Sequence, residues 1–545
     1  MESGIILIFA VQILMNMREF NVTGLCVPEM HYMVDIDEKV EGIFQLVEGK
    51  KYFTINRGRQ YGKTTTIGML EKRMPEEFIC AGISFQYSDD KMFADEEGFC
   101  RGLLSRIHRA LMIDHPKEAK LWLDKNVTTF TELDYFITER CTGKKIVLII
   151  DESDEASNNT IFVRFLKMLR DKYLFRNAGK DYTFHSVILA GVYDVRNLKY
   201  KMTLAGNYTP GVGESAMNSP WNIAVDFNID MSFSAKETET MLAAYENDHH
   251  TGMNISEIAR EIRFYTSGYP YLVSRICLLI ERDLDRNWTL EGVQEAVKII
   301  LDENSTLFDD MIKKIEENQE LSDLIFDLTV GKIKYPYNSD DPVMKFGIMF
   351  GFLTKGTDGL QIHNSIFEIR IANYFISKNT RKWREKNIVQ SLASEIIKNN
   401  VFDMEVCLTK FKKHYAEIYT GKDLKFLERE GKLVFLTYLI PLINGTGFYH
   451  FEPETRDYGK IDLVIDYLRQ QFILELKIWH GDSRHEDAYE QLANYLKSKN
   501  IDCGYLLTFD FRKKGDNSFS ENKWIEWDGK QIFDVVLRVG SEIDD

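Results

Sequence analysis

Between residues 51 and 192, four short apolar runs alternate with stretches of helical spacing. The runs are KYFTIN (51–56), FICAGISFQYS (78–88), KKIVLIIDES (144–153) and FHSVILAGV (184–192). Helical patterns fill 38–50, 64–74, 96–113, 130–140 and 160–173. Short apolar strands separated by helices pair side by side in the same direction, because each helix carries the chain back to the starting edge. The alternation predicts a parallel sheet in an α/β fold.

The loop after the first run reads GRQYGKTT (58–65) and opens a helix. A strand, a glycine-bearing loop and a helix start are what a phosphate-binding loop requires. Backbone N–H groups at a helix N-terminus favour an anion. Gly62 lets the chain approach the phosphates, Lys63 reaches the β/γ-phosphates, and Thr64 holds Mg²⁺. Thr65 follows in the same helical turn. The usual first glycine would fall at Arg57, and Gly58 comes one place later. About 90 residues on, the apolar run IVLIIDESD (146–154) ends in acids. Asp151 is placed to act on Mg²⁺ through water, and Glu152 to polarise an attacking water.

A second constellation lies near the other end. Residues 459–477 read GKIDLVIDYLRQQFILELK. Asp462 and Glu475 sit on two apolar runs with twelve residues between them, and Lys477 shares a strand face with Glu475. If the two strands are neighbours, the carboxylates converge and hold Mg²⁺, which polarises a phosphate and lowers the pKa of a bound water. Lys477 then orients that water or stabilises developing charge. An acid inside an apolar strand is costly unless paired or metal-bound. Asp466 and Asp457 compete with Asp462 for the role. The following helix, HEDAYEQLANYLKSK (485–499), puts Gln491 and Tyr495 on one face. Upstream, the helix of 425–443 offers Glu428, or alternatively Glu430, as a further carboxylate.

The bulk properties set limits. A chain of 545 residues is too long for one core and suggests roughly three or four domains. Hydrophobic content of 44% and charged content of 28% suit a soluble globular protein. The net charge of −16 argues against a general nucleic-acid coat but allows a local basic groove. From residue 378 onward, 26 basic residues face 28 acidic ones, so nearly all the excess acid lies before it. Lys410, Lys412, Lys413, Lys422, Lys425, Lys432, Arg512, Lys513 and Lys514 lie around the Asp462–Lys477 unit, as candidates for phosphate neutralisation or as a solvated face. The seven scattered cysteines form no CxxC pair, which points to a reducing, cytoplasmic setting without a zinc site. The apolar start, MESGIILIFAVQILMN, is too short to span a membrane and lacks a basic n-region. Residues 1–16 are therefore expected to be a leader of little structural consequence, and no stable membrane association is expected.

The segments INRGRQYGKTT, VLIIDESD, VILAGVYDVRNLK and TSGYPYLVSRIC, together with ELKIWHG, resemble the AAA-like P-loop ATPases that carry a C-terminal PD-(D/E)XK nuclease domain. The resemblance implies an α/β multidomain chain. Its parts would be a P-loop NTPase parallel sheet (17–235), a helical lid (236–304), a winged-helix-like module (305–377) and a linker (378–400). A restriction-endonuclease-like α/β domain (401–545) would follow. The hairpin-like GFLTKGTDGLQIH would form the wing, and Ser234 with Glu237 a capping-box helix start. The resemblance adds Pro270 of Gly268-Tyr269-Pro270 to the nucleotide set of Arg57, Gly58, Gly62, Lys63, Thr64, Thr65 and Asp151. It makes Arg275 a candidate γ-phosphate sensor, although a helix arginine of structural role fits equally. It implies Asp462, Glu475, Lys477, Gln491 and Glu428 in the nuclease and Glu152 in the ATPase as catalytic residues. ATP and Mg²⁺ are the implied cofactors. Nucleic acid, DNA in preference to RNA, and a homo-oligomer formed through the ATPase are the implied partners. The expected function is an ATPase that gates or positions a Mg²⁺-dependent nuclease. The alternative is a nucleotide-switched regulator whose nuclease-like domain binds a partner without cleaving.

Overall fold

The computed structural model describes residues 18–86, 90–124, 126–153, 156, 159–192, 221–330, 333–382, 394–418, 424–443, 446–450, 461–468, 470–479, 482–510 and 522–538. The expected leader and residues 193–199 of the quoted motif lie outside them, as do Asp457, Lys422 and Arg512–Lys514. The side chains of Lys425, Glu428 and Glu430 also lie outside them. The chain divides into two units. An N-terminal unit takes Met1–Ile300, Ser305–Leu307 and Tyr337–Lys355. A C-terminal unit takes Leu301–Asn304, Phe308–Pro336 and Gly356–Asp545.

The N-terminal unit is built on β1 (Tyr52–Asn56), β2 (Phe78–Ser84), β3 (Lys145–Asp151) and β4 (Ser186–Gly191). They pair in parallel in the order β1-β4-β3-β2. A single parallel bridge from Phe53 to Val225 adds a vestige of a fifth strand on the far side of β1. The continuous apolar character of β3 and β4 follows from burial on both faces, and every residue of β4 is buried. Helices Glu96–Leu111, Phe130–Cys141 and Thr160–Asn177 contribute Phe99, Ile137, Phe165 and Leu169 to the core beside the sheet. Four helices follow: Ala235–His249, Ile255–Thr266, Pro270–Arg282 and Leu290–Asp302. The first starts on the expected capping box, in which the Ser234 hydroxyl accepts from Glu237 N–H and the Glu237 carboxylate accepts from Ser234 N–H.

Residues 305–377, expected as one module, divide between the two units, because Tyr337–Lys355 clusters with the N-terminal one. The predicted turn does pair β5 (Leu353–Gly356) with β6 (Gly359–Ile362). A further two-residue pair, β7 (Ile397–Lys398) and β8 (Val401–Phe402), precedes the last domain.

The C-terminal unit holds a mixed six-stranded sheet. Its strands are β9 (Gly447–His450), β10 (Leu463–Tyr467), β11 (Gln470–Ile478), β12 (Cys503–Asp510), β13 (Lys523–Trp527) and β14 (Lys530–Arg538). The order is β13-β14-β12-β11-β10-β9. β10 and β11 form an antiparallel hairpin, while β11, β12 and β14 run parallel. The helix Asp482–Ser498 connects β11 to β12 and buries Ala488, Leu492, Tyr495 and Leu496 in a core with Ile461, Val464 and Ile473. Among the described residues, no helix is long and apolar enough to cross a membrane.

Candidate functional site

Each unit presents one constellation. In the N-terminal unit, the helix Lys63–Arg73 begins at Gly62, which adopts φ +77° and provides no side-chain cap. That left-handed turn is open to glycine at little cost, and it leaves the first-turn N–H groups directed at whatever lies beyond the helix end. Gly58 is required for a different reason. A Cβ there would stand 2.6 Å from the Phe350 carbonyl oxygen, so the backbone approach excludes any side chain. Lys63 is buried, at 8% exposure, and its ammonium donates to the carbonyls of Arg57 and Gly58, both at 3.0 Å. The Thr64 hydroxyl donates to Asp151 Oδ2 at 3.1 Å. This joins the helix start to the end of β3 although β4 lies between β1 and β3. Asp151 Oδ1 accepts from Glu152 N–H at 2.9 Å.

Glu152 takes φ +53°, an unusual conformation for a side chain of this size. The next residue anchors the turn, with both Ser153 N–H and its hydroxyl donating to the Ala190 carbonyl. Pro270 is the first residue of its helix, and a Cβ on Gly62 would meet its ring at 3.8 Å. Gly268-Tyr269-Pro270 therefore abuts the loop. Sequence reasoning did not assign Tyr269, yet its hydroxyl donates to the Arg59 carbonyl and its ring meets Tyr61 edge-on at 4.7 Å. Arg275 lies in the second turn of the same helix.

Two members of the expected nucleotide set are engaged elsewhere. The Arg57 guanidinium donates to the carbonyls of Asn56 and Ile229 and stacks on Phe227 at 5.3 Å. Burial lowers its pKa, and the neighbouring acidic groups oppose this. The side chain thus braces the loop from behind. The Thr65 hydroxyl accepts from Cys26 N–H at 3.2 Å.

In the C-terminal unit, β10 and β11 are neighbours, and the register that pairs Leu463 with Leu474 sets Asp462 opposite Glu475. The backbone ladder ends at that point and carboxylates take over. Asp462 N–H donates to Glu475 Oε2 at 3.1 Å, and Leu476 N–H donates to Asp462 Oδ2 at 2.9 Å. Lys477 lies 2.5 Å from Glu475 Oε1 and donates to Gln491 Oε1 at 3.2 Å. Lys432, from the helix Leu424–Ile443, donates to Asp462 Oδ1 at 2.8 Å. Sequence reasoning placed Lys432 only in a general basic set, since nothing in its spacing links it to Asp462.

Glu475 is 1% exposed and Asp462 9%. Burial, then the negative charge of Asp462, pushes the Glu475 carboxyl up to about 7, and Lys477 opposes this. Burial also acts on Asp462, but Lys432 and Lys477 outweigh it and hold that carboxyl below its usual range. Desolvation would lower Lys477, but Glu475 and Asp462 raise it overall. Asp466, the competitor to Asp462, lies toward the hairpin turn and accepts from Gln471 at 2.8 Å. Tyr495 is buried in the core beneath the helix, whereas Gln491 reaches the site.

Among the described residues, no three His, Cys, Asp or Glu side chains cluster for a metal. Two hard carboxylates with further positions left to water and phosphate suit Mg²⁺, which is commonly held that way. Asp462 and Glu475 would supply the two carboxylates, although each of their oxygens is also held by a protein donor. Thr64 and Asp151 form the equivalent hydroxyl–carboxylate pair beside the loop.

No family model matches the chain, and no curated protein does. Among solved structures, a Walker-type ATPase of Pyrococcus abyssi is similar at 11% identity and a TM-score of 0.42, over 65% of this chain and 99% of that one. The ORC2 protein of Aeropyrum pernix, in ADPNP–ADP complexes, is similar at 13% identity and a TM-score of 0.36, over 66% of this chain and 98% of that one. Likeness at this level carries no functional assignment.

Proposed function

We propose that this protein binds and hydrolyses ATP in its N-terminal unit and cleaves phosphodiester bonds, with Mg²⁺, in its C-terminal unit. The observation that carries the proposal is the convergence of Asp462, Glu475, Lys477 and Gln491 at the end of one β-hairpin. Asp462 and Glu475 would hold Mg²⁺, which supplies Lewis acidity and an ionised water when bound. Lys477 stands where it can stabilise charge on a phosphate oxygen, and Gln491 fixes its direction. The nucleotide half rests on the Lys63 ammonium inside a glycine-bearing loop, with Thr64 joined to Asp151. In this reading the first-turn N–H groups and Lys63 take the phosphates, Thr64 and Asp151 take Mg²⁺, and Glu152 orients water. The β5–β6 hairpin serves as the wing of a winged-helix-like module, nucleotide state gates cutting, and subunits assemble through the ATPase. DNA in the cytoplasm is the favoured substrate.

A second reading has one observation in its favour. Each oxygen of the two carboxylates already has a protein donor, as in a domain that only binds a partner. The two readings separate in a cleavage assay of the full chain with single- and double-stranded DNA and RNA, with and without Mg²⁺ and ATP. The nuclease reading expects Mg²⁺-dependent cutting that Glu475→Ala abolishes and that Lys477→Ala slows roughly 10²–10³-fold. If no nucleic acid is cut under any of these conditions, the nuclease reading is lost and the binding reading stands.

A further inference from the structure

Two lysines neutralise the two carboxylates of the C-terminal site, and they come from different elements. Lys477 belongs to the same strand as Glu475, and Gln491 at 3.2 Å gives it a second acceptor. Lys432 comes from the helix Leu424–Ile443 and binds Asp462 Oδ1 at 2.8 Å. The remaining oxygens are held by backbone: Asp462 Oδ2 by Leu476 N–H and Glu475 Oε2 by Asp462 N–H. The quartet therefore sums to zero charge while its carboxylates are ionised, in a pocket where Glu475 is 1% exposed.

A divalent cation bridging Asp462 and Glu475 would meet the Lys432 ammonium on one of the oxygens it needs. Like charges a few ångströms apart repel strongly in so poorly solvated a site. The two lysines differ in what each can do about it. Lys477 can keep Gln491 while Glu475 turns to a metal. The Lys432 side chain is 20% exposed, against 12% for Asp462, so its flexible stem can carry the ammonium to water.

We propose that Lys432 is a built-in counter-cation, which orients Asp462 and leaves it when a divalent cation binds Asp462 and Glu475. Lys432 acts through Asp462 and is a positioning residue. The inference rests on the metal-site reading given under the proposed function. It sets the metal affinity of the site low by design, since each binding event must break an ion pair. A merely structural lysine would have the opposite signature, because its loss would loosen the site and weaken metal binding.

The test uses the full chain without nucleotide, and Mn²⁺ as the probe, with the free ion counted by electron paramagnetic resonance. The signal of interest is the binding that Glu475→Gln removes. Lys432→Gln, which keeps a donor but no charge, should tighten that binding about tenfold or more. Lys432→Arg should leave it within about threefold of the starting protein, because the charge is kept. Unchanged or weaker binding in Lys432→Gln overturns the role of Lys432 and leaves the metal site standing. If Glu475→Gln removes no Mn²⁺ from the starting protein or from Lys432→Gln, the metal-site reading falls and takes this inference with it. A second measurement needs no variant and covers the case in which Lys432→Gln does not fold. Saturating Mn²⁺ should raise acylation of Lys432 by an amine-reactive label several-fold, read by peptide mass spectrometry. Labelling of Lys432 that does not rise overturns the displacement.

Discussion

The two constellations use lysines in opposite ways. The named acceptors of Lys63 are two neutral carbonyls of its own loop. Lys477 and Lys432 are bonded to carboxylates. Hydrogen bonds to charged partners are worth about 1.5–3 kcal/mol, against about 0.5–1.5 for neutral ones. A phosphate arriving at Lys63 would bring a full negative charge to an ammonium that is bonded to neutral carbonyls. A cation arriving at Asp462 and Glu475 displaces partners that are already strong. On the proposed reading the first site accepts its ligand directly, and the second holds its charges satisfied until a cation competes for them.

The sharpest way to break this contrast is to remove one charge of the quartet. Asp462→Asn leaves Lys432 without its carboxylate in a largely buried setting, and should cost the C-terminal unit about 3 kcal/mol. Urea unfolding followed by circular dichroism measures it, and a cost below about 1 kcal/mol would show that the quartet is not held by its charges. Next in size, Lys63→Ala should weaken binding of a fluorescent ATP analogue about 100-fold, equivalent to two lost bonds to charged oxygens, with little change in stability. An affinity within threefold of the original would remove the loop from the comparison. Gly62→Ala forces an L-residue into a φ of +77° and should destabilise the N-terminal unit by about 1–2 kcal/mol, measured by thermal unfolding.

The smallest effect concerns acid. Burial first, then the nearby Lys50 and Arg176 charges, holds the His185 imidazole down to about 4. The unfolded chain takes up that proton below about 6.5 and the folded one only near 4, so the unfolded state binds more protons in between. This contribution to stability is therefore complete above about pH 6.5 and lost as pH falls toward 4. His185→Gln should flatten the decline of the N-terminal melting temperature between pH 7 and pH 5. A decline of unchanged slope would assign the acid sensitivity to other groups.

The local features of both sites were legible along the chain. Strands β3 and β4 were readable because a strand buried on both faces must be apolar throughout. Gly62, Lys63 and Thr64 were readable as a helix start entered through a glycine turn. Asp462 and Glu475 stood out as acids inside apolar runs. The direction of the Arg57 side chain was not legible, because a basic residue beside such a loop has the same letter whichever way its guanidinium turns. Ile229 and Phe227 decide that direction, and they lie 170 or more residues away. Tyr269 carries no mark in the sequence, because its contacts with Arg59 and Tyr61 join segments some 200 residues apart.

The sequence by itself determined which segments are strands, where the chain turns tightly, and which acids and lysines must find partners if buried. Those properties depend on periodicity, backbone freedom and desolvation, all of which act over a few residues. Tertiary structure alone decided the pairing. The β10–β11 register set Asp462 opposite Glu475, helix Leu424–Ile443 brought Lys432 onto Asp462, and the approach of Phe350 demanded glycine at position 58. Ion pairs and close backbone contacts form between residues that the fold makes neighbours, and spacing along the chain carries no record of them.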